Sequence, residues 1–259
     1  FSGTLAAGAG TGDELNFNAY ATPRDISLTA QGAADGYNGD ANQLGFSFTD
    51  VNVLRGSAGG ADSLSGVPGQ DSTWAIANEA LTTSTYRDTG NTASLATSGF
   101  RNLTGDDAGD DSFTFLAGAA GTFVINGGTG AGSDAIAGTD AVNLTISQSG
   151  GGAGTIGAAA VTFTETESLT GGSASDTFQF ANTGSLAGAI DGGSGAGSDT
   201  IIGDNDGNAF AMTSQDAGTL TGKVTGGFIN INNLTGGAGI DVFDVTAAGI
   251  SGNLSGAGE

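Results

Sequence analysis

The chain has 259 residues, 50 of them glycine, with no cysteine and no histidine, and 27 acidic against five basic residues give it a net charge of −22. Such a polyanion offers no basic surface to nucleic acid; without histidine or cysteine it has no imidazole base, no thiol nucleophile and no disulfide. Glycine, alanine and serine bury little apolar area, so a thin core repeated along an axis is easier to build than a deep globular one.

Acidic membranes repel the chain, and no run of about twenty apolar residues spans a bilayer. Cations are its natural partners. The sequence opens at Phe1 with neither a methionine nor a signal-peptide pattern, which reads as a mature or excised piece of something longer.

In chain order, the first recognisable element is a short glycine loop, Gly8 to Asp13, followed by Leu15. Leu54-Arg55-Gly56 comes next, a degenerate form of a triplet that recurs as Leu103-Thr104-Gly105, Leu169-Thr170-Gly171 and Leu234-Thr235-Gly236. Each anchor leads into a glycine-rich loop, an aspartate and an apolar residue two positions on: Asp62/Leu64, Asp111/Phe113, Asp176/Phe178 and Asp241/Phe243. A phenylalanine stands six residues before three of the anchors, at Phe48, Phe163 and Phe228. Between 67 and 99 the rhythm breaks around Pro68, Trp74 and Tyr86, an irregular excursion read as a degenerate coil, a loop or a short helix. A second loop, Gly127 to Asp134, matches Gly192 to Asp199 at seven of eight positions. Leu144 and Ile146 fall opposite Phe210 and Met212 in the same frame.

The full anchors are 66 and 65 residues apart, and Leu169, Ile190, Phe210 and Leu234 divide one period into steps of 21, 20 and 24. Three sub-repeats per unit predict a repeat architecture. Segments such as Phe113-Thr114-Phe115 and Thr177 to Phe180 alternate as strands do, bounded by Gly, Asn, Asp and Ser turns. The expected fold is all-β, a single parallel β-solenoid over 1–259 with coils of about 20–24 residues. A string of β-sandwiches is the alternative if the sub-repeats are hairpins.

Gly236 to Phe243 fits the pattern G-G-x-G-x-D-x-U and resembles the repeat-in-toxin (RTX) β-roll proteins; Gly171 to Phe178 and Gly192 to Ile201 look like relaxed versions. The resemblance implies Ca²⁺ held by oxygen ligands in these loops. The candidate positions are Asp62, Asp111, Asp134, Asp176, Asp199 and Asp241, with Gly237 and Gly239 shaping the last loop. Asp204 and Asp206 in Gly203 to Asn208 add a D-x-D-G loop without the glutamate of an EF-hand. RTX sites need tandem nonapeptides, and here the loops lie some twenty residues apart, so sharing an ion requires that Asp176 and Asp199 stack. The other reading stays open, that the aspartates cap backbone amides in ordinary turns.

More broadly, the repeat grammar resembles that of giant bacterial surface proteins: adhesins, haemagglutinin-like repeats and S-layer proteins. That implies an extracellular, structural or adhesive role as a segment of a giant adhesin or a filament subunit, with a calcium-dependent S-layer protein as the alternative. Expected partners are an end-to-end copy or the continuation of a longer chain, and a surface glycan or protein ligand. An enzyme is not expected; a β-helix polysaccharide-active enzyme is the remote alternative, through pairs such as Asp106/Asp107 or Glu165/Glu167. Sequons at Asn102, Asn143, Asn233 and Asn253 are read as turn asparagines before an inward leucine, with glycosylation as the alternative.

Overall fold

The computed structural model describes residues 3–78, 83–90, 93–181 and 183–256. All regular structure among them is β; there is no helix. The chain divides into two compact units, residues 1–114 with 122–132, and residues 115–121 with 133–259.

In the first unit one sheet runs, in spatial order, Gly3–Ala6, Phe46–Val51, Tyr37–Ala41, Asp25–Gln31, Asp62–Ser65, Phe100–Thr104 and Ala120–Asn126. The other runs Glu14–Asn16, Val53–Arg55, Leu95–Ser98, Ser84–Asp88, Ser72–Ile76 and Asp111–Phe115. The first sheet of the second unit orders Ala158–Thr164, Gly151–Ile156, Val142–Gln148, Thr177–Phe180, Thr200–Ile202, Asn233–Thr235 and Leu254–Ser255. Its second sheet orders Ala135–Gly138, Ser168–Thr170, Ile190–Asp191, Val224–Ile229, Ala217–Leu220, Ala209–Ser214 and Val242–Asp244.

Within each unit the chain passes back and forth between its two sheets. Most visits are a single strand paired in parallel with the strands before and after it. Leu169 pairs with Ile190, Phe178 with Ile201 and Leu234 with Leu254, steps of 21, 23 and 20 residues. Four visits among the described residues are instead three-stranded antiparallel meanders, at 25–51, 72–98, 142–164 and 209–229. Each folds back on the direction of growth. Asp25–Gln31 pairs with the later Asp62–Ser65, while Phe46–Val51 pairs with the earlier Gly3–Ala6. Each sheet of each unit holds one meander, so the two sheets of a unit widen together and keep their buried faces matched.

The meanders correct the expected spacing. Ile190 stacks on Phe228, not on Phe210, because two antiparallel strands come between; Phe210 pairs with Leu220 and Phe243. They also give the phenylalanine six residues before the anchor its reason. Phe48, Phe163 and Phe228 lie on the last strand of a meander, each opposite a glycine of the middle strand: Gly39, Gly152 and Gly218. A Cβ at Gly39 would overlap the Phe48 ring. One large ring thus fills the space of two inward positions, and all three rings are buried.

Within 67–99, expected to be irregular, residues 72–98 form the remaining meander, with this arrangement inverted. Thr97 and Ser84, both buried, occupy the phenylalanine and glycine positions. The volume comes instead from Trp74 and Tyr86 on the first and middle strands, ring centroids 4.6 Å apart, with Trp74 stacked on Phe113 at 5.4 Å. Tyr37 of the opposite sheet meets Tyr86 at 5.3 Å. Within the run 75–83, residues 79–82 lie outside the described residues.

On the outer face of the second unit's first sheet, two columns of side chains run across the strands in register. One reads Ala160, Thr155, Asn143, Thr177, Thr200, Asn233. The other reads Thr162, Ala153, Thr145, Gln179, Ile202, Thr235, Ser255. All thirteen are at least partly exposed, while inward neighbours such as Leu144, Val161, Phe178, Ile201 and Leu234 are buried.

Candidate functional site

The residues that carry the repeat grammar come together at the loops joining the two sheets of each unit. Leu54 and Leu103 lie in opposite sheets of the first unit, as Leu169 and Leu234 do in the second. The same loop therefore serves crossings in both directions.

Its working part is the aspartate. Asp62 accepts the Ser57 N–H on Oδ2, and on Oδ1 the Ser57 hydroxyl at 2.8 Å and the Arg24 N–H at 2.5 Å. Asp111 accepts the Asp106 N–H at 2.7 Å on Oδ2 and the Ser72 hydroxyl on Oδ1. Asp176 accepts the Gly172 N–H at 2.9 Å and the Val142 N–H at 2.5 Å. In each case one oxygen closes the aspartate's own loop and the other holds a segment 34 to 39 residues earlier in the chain. All three aspartates are buried. The glycine of the anchor triplet follows from this: a Cβ at Gly56, Gly105, Gly171 or Gly236 would overlap Oδ2 of Asp62, Asp111, Asp176 or Asp241. Only a residue without a side chain leaves room for the carboxylate.

A second staple was missed by sequence reasoning. The carbonyl oxygens of Asp13, Asp134 and Asp199 each accept two successive N–H groups, from Asn52 and Val53, Glu167 and Ser168, and Asn232 and Asn233. The side chains of Asn52, Glu167 and Asn232 reciprocate by accepting the aspartate's own N–H at 3.2, 2.7 and 2.8 Å. These acceptors stand two residues before the anchor leucine, so a signal was present in the alternating segments that precede each anchor.

The Asp176 and Asp199 loops, whose stacking is the condition for sharing an ion, are joined directly: Asp199 Oδ1 accepts the Asp176 N–H at 2.9 Å. Burial raises the Asp176 carboxyl to about 6, with the Asp199 charge and the hydrogen bond between the two carboxyls pushing the same way. Burial also raises Asp199. Asp111 is pushed up by burial to about 6 against the pull of its Ser72 and Asp106 donors. Asp106 goes the other way. Burial opposes its ionisation, but amides from Ala108, Gly109 and Gln70 hold it below the usual carboxylate range.

The loops at 203–208 and 236–241 also stack, since a Cβ at Gly237 would overlap the Asp204 carbonyl and one at Gly239 would overlap the Gly207 backbone. Here Asn208 stands where the other loops have aspartate. Its Oδ1 accepts the Asp204 N–H at 3.3 Å, and its Nδ2 donates to the Asp204 carbonyl at 2.8 Å and to Asp241 Oδ1 at 3.0 Å. Asp241 Oδ2 is buried with no hydrogen-bond partner. Asp204 is 3% exposed, and its Oδ2 pairs with the ammonium of Lys223, the single lysine of the chain. Asp206 donates its N–H to Asp204 Oδ1 at 3.1 Å.

Among the described residues no three acidic side chains converge as a ready cation site. Of the enzyme candidates, Asp106 and Asp107 are held in loop hydrogen bonds, Asp107 Oδ1 accepting from Thr129 N–H and hydroxyl at 2.9 and 3.0 Å. Of the sequon asparagines, Asn102 donates to the Ala61 carbonyl and Asn233 to the Ser198 hydroxyl, both at 2.8 Å. The chain matches no protein-family model, no curated protein and no solved structure.

Proposed function

We propose that the chain is a structural or adhesive element of an extracellular surface protein, built as a parallel β-solenoid whose coils of about 20–24 residues are widened by meanders. The observation that carries this reading is the use made of its polar residues: the recurrent buried aspartates are engaged in holding one loop to its own start and to the strand beside it. The sheet rims favour lengthwise growth. Strand Val242–Asp244 is an edge strand in the second unit, with its own Val242 55% exposed and Ile240 90% exposed just before it. Such an edge takes a further strand of the same grammar, from the same polypeptide or another copy. An S-layer lattice is the same reading with copies as the source.

Calcium belongs to this proposal at the second unit's loops, where a hard divalent cation would relieve the like-charged Asp176–Asp199 pair and engage the open oxygen of Asp241. Antibodies against the chain should label intact producing cells; labelling only after permeabilisation overturns the surface role. Calcium is tested separately, by following the melting temperature after EDTA treatment. A rise specific to Ca²⁺ over Mg²⁺ and NaCl supports ion-bound loops. An equal response to all three removes calcium and leaves the aspartates as backbone caps.

A further inference from the structure

The two in-register columns on the first sheet of the second unit hold thirteen side chains and not one charge, in a chain with 27 acidic residues. Six of the thirteen are threonine. The corresponding sheet of the first unit differs: its strands carry the partly exposed Asp25 and Asp40, the latter accepting the Ser47 hydroxyl at 2.7 Å. The uncharged face is therefore a local feature, unlike the acidic surface that the composition predicts.

Its geometry is a lattice. Neighbouring strands lie about 4.8 Å apart, and successive outward residues along a strand about 6.7 Å apart. Hydrogen-bonded water has oxygens about 2.75 Å apart. In a tetrahedral network of that spacing, second neighbours lie about 4.5 Å apart, close to the strand repeat. Hydroxyls stand one strand repeat apart at Thr177/Thr200 and Thr235/Ser255, and two or three repeats apart elsewhere with the amides of Asn143, Gln179 and Asn233 among them, so the array holds waters near positions these would take in ice. Threonine suits the task because its χ1 is restricted and its methyl orders water beside the hydroxyl. Little rotamer freedom is left to lose on binding. Cross-strand contacts stiffen the array, Asn233 Nδ2 lying 3.4 Å from Thr200 Oγ1.

We propose that this face binds ice, through ranks of threonine and amide side chains that template ordered water. No column residue is aromatic, so the face lacks the ring platforms on which sugars stack; a crystalline polysaccharide is the competing ligand. The inference goes beyond the surface role proposed above and stands or falls without it.

The test uses the full chain in ice-crystal microscopy with measurement of the gap between melting and freezing points. The wild-type protein should shape ice crystals and open such a gap. Thr200→Arg and Thr145→Arg, each placing a long cation in the array, should lose most of it with an unchanged circular-dichroism spectrum. Thr200→Val, which keeps the shape and a methyl, should retain part. Ala209→Arg, on the unit's other sheet, should retain all. Should an arginine variant fail to fold, the valine and Ala209 variants still set the face against the other sheet. Folded wild-type protein that leaves ice unshaped overturns the proposal, as do arginine variants with full activity. Retention on insoluble polysaccharide without ice shaping overturns it in favour of the sugar.

Discussion

Lys223 and Asp204 form an ion pair in which the carboxylate side chain is 1% exposed and the lysine side chain 16%. Removing one partner of such a pair leaves the other's charge uncompensated, at a cost of about 3–5 kcal/mol. Lys223→Ala should therefore lower the unfolding free energy by about that amount, read from urea denaturation. The double variant Lys223→Ala/Asp204→Asn should recover much of the loss, because no buried charge is then stranded. A loss below about 1 kcal/mol in the single variant would place the ammonium in solvent, as for a surface pair. Gly171 tests the neighbouring rule. Gly171→Ala places a methyl against Asp176 Oδ2, and overpacking of this kind costs about 1–3 kcal/mol. Gly222→Ala is a poor control, because Gly222 has φ of 76°; Gly256→Ala, with nothing near its Cβ, should be neutral.

At the scale of the element, legibility in the sequence followed the loops closely and the strands poorly. The glycine and aspartate of each anchor were visible because the carboxylate has one place to go, and only glycine leaves that place open. The all-β class was visible in the short alternating segments. The meanders were not. A strand alternates with period two whether its neighbour runs parallel or antiparallel, so the pattern of Val142–Gln148 does not reveal that Gly151–Ile156 turns back along it. The middle strands were hidden for a further reason. Gly152 and Gly218 carry no apolar signal because the rings of Phe163 and Phe228, on the neighbouring strand, stand opposite them. The phenylalanine was read correctly as periodic, and its partner on the middle strand of the same sheet is a glycine. Trp74 and Tyr86 looked irregular for the complementary reason: that meander fills the same space from its first and middle strands.

For the whole molecule the decisive quantity is charge, and it acts in two separable ways. The surplus of carboxylates, −22 overall, repels itself over distances that salt screens, to within about 8 Å at physiological ionic strength. The buried aspartates act locally and resist screening. Asp111 and Asp176 titrate at about 6 in the folded chain against an ordinary 3.8, so the folded state holds more protons between those values. Their contribution to stability is complete below the unfolded value and is lost as pH rises through about 6. Asp106, held below 3.8, contributes in the opposite sense, and its share is lost only as pH falls through its lowered value. The melting temperature should thus rise on going from pH 7.5 to pH 5. High salt should flatten the part that comes from general repulsion and leave a step that begins as pH falls below about 6 and is complete only near 3.8. Asp176→Asn should shrink that step even though it weakens the fold, since an amide has one acceptor where two N–H groups need one each. A pH profile that becomes featureless in high salt would assign the whole dependence to surface charge and place these carboxylates in ordinary contact with water. A step that survives salt in the wild type and shrinks in the variant would show that the loops which join the sheets also set the pH at which the molecule is firmest.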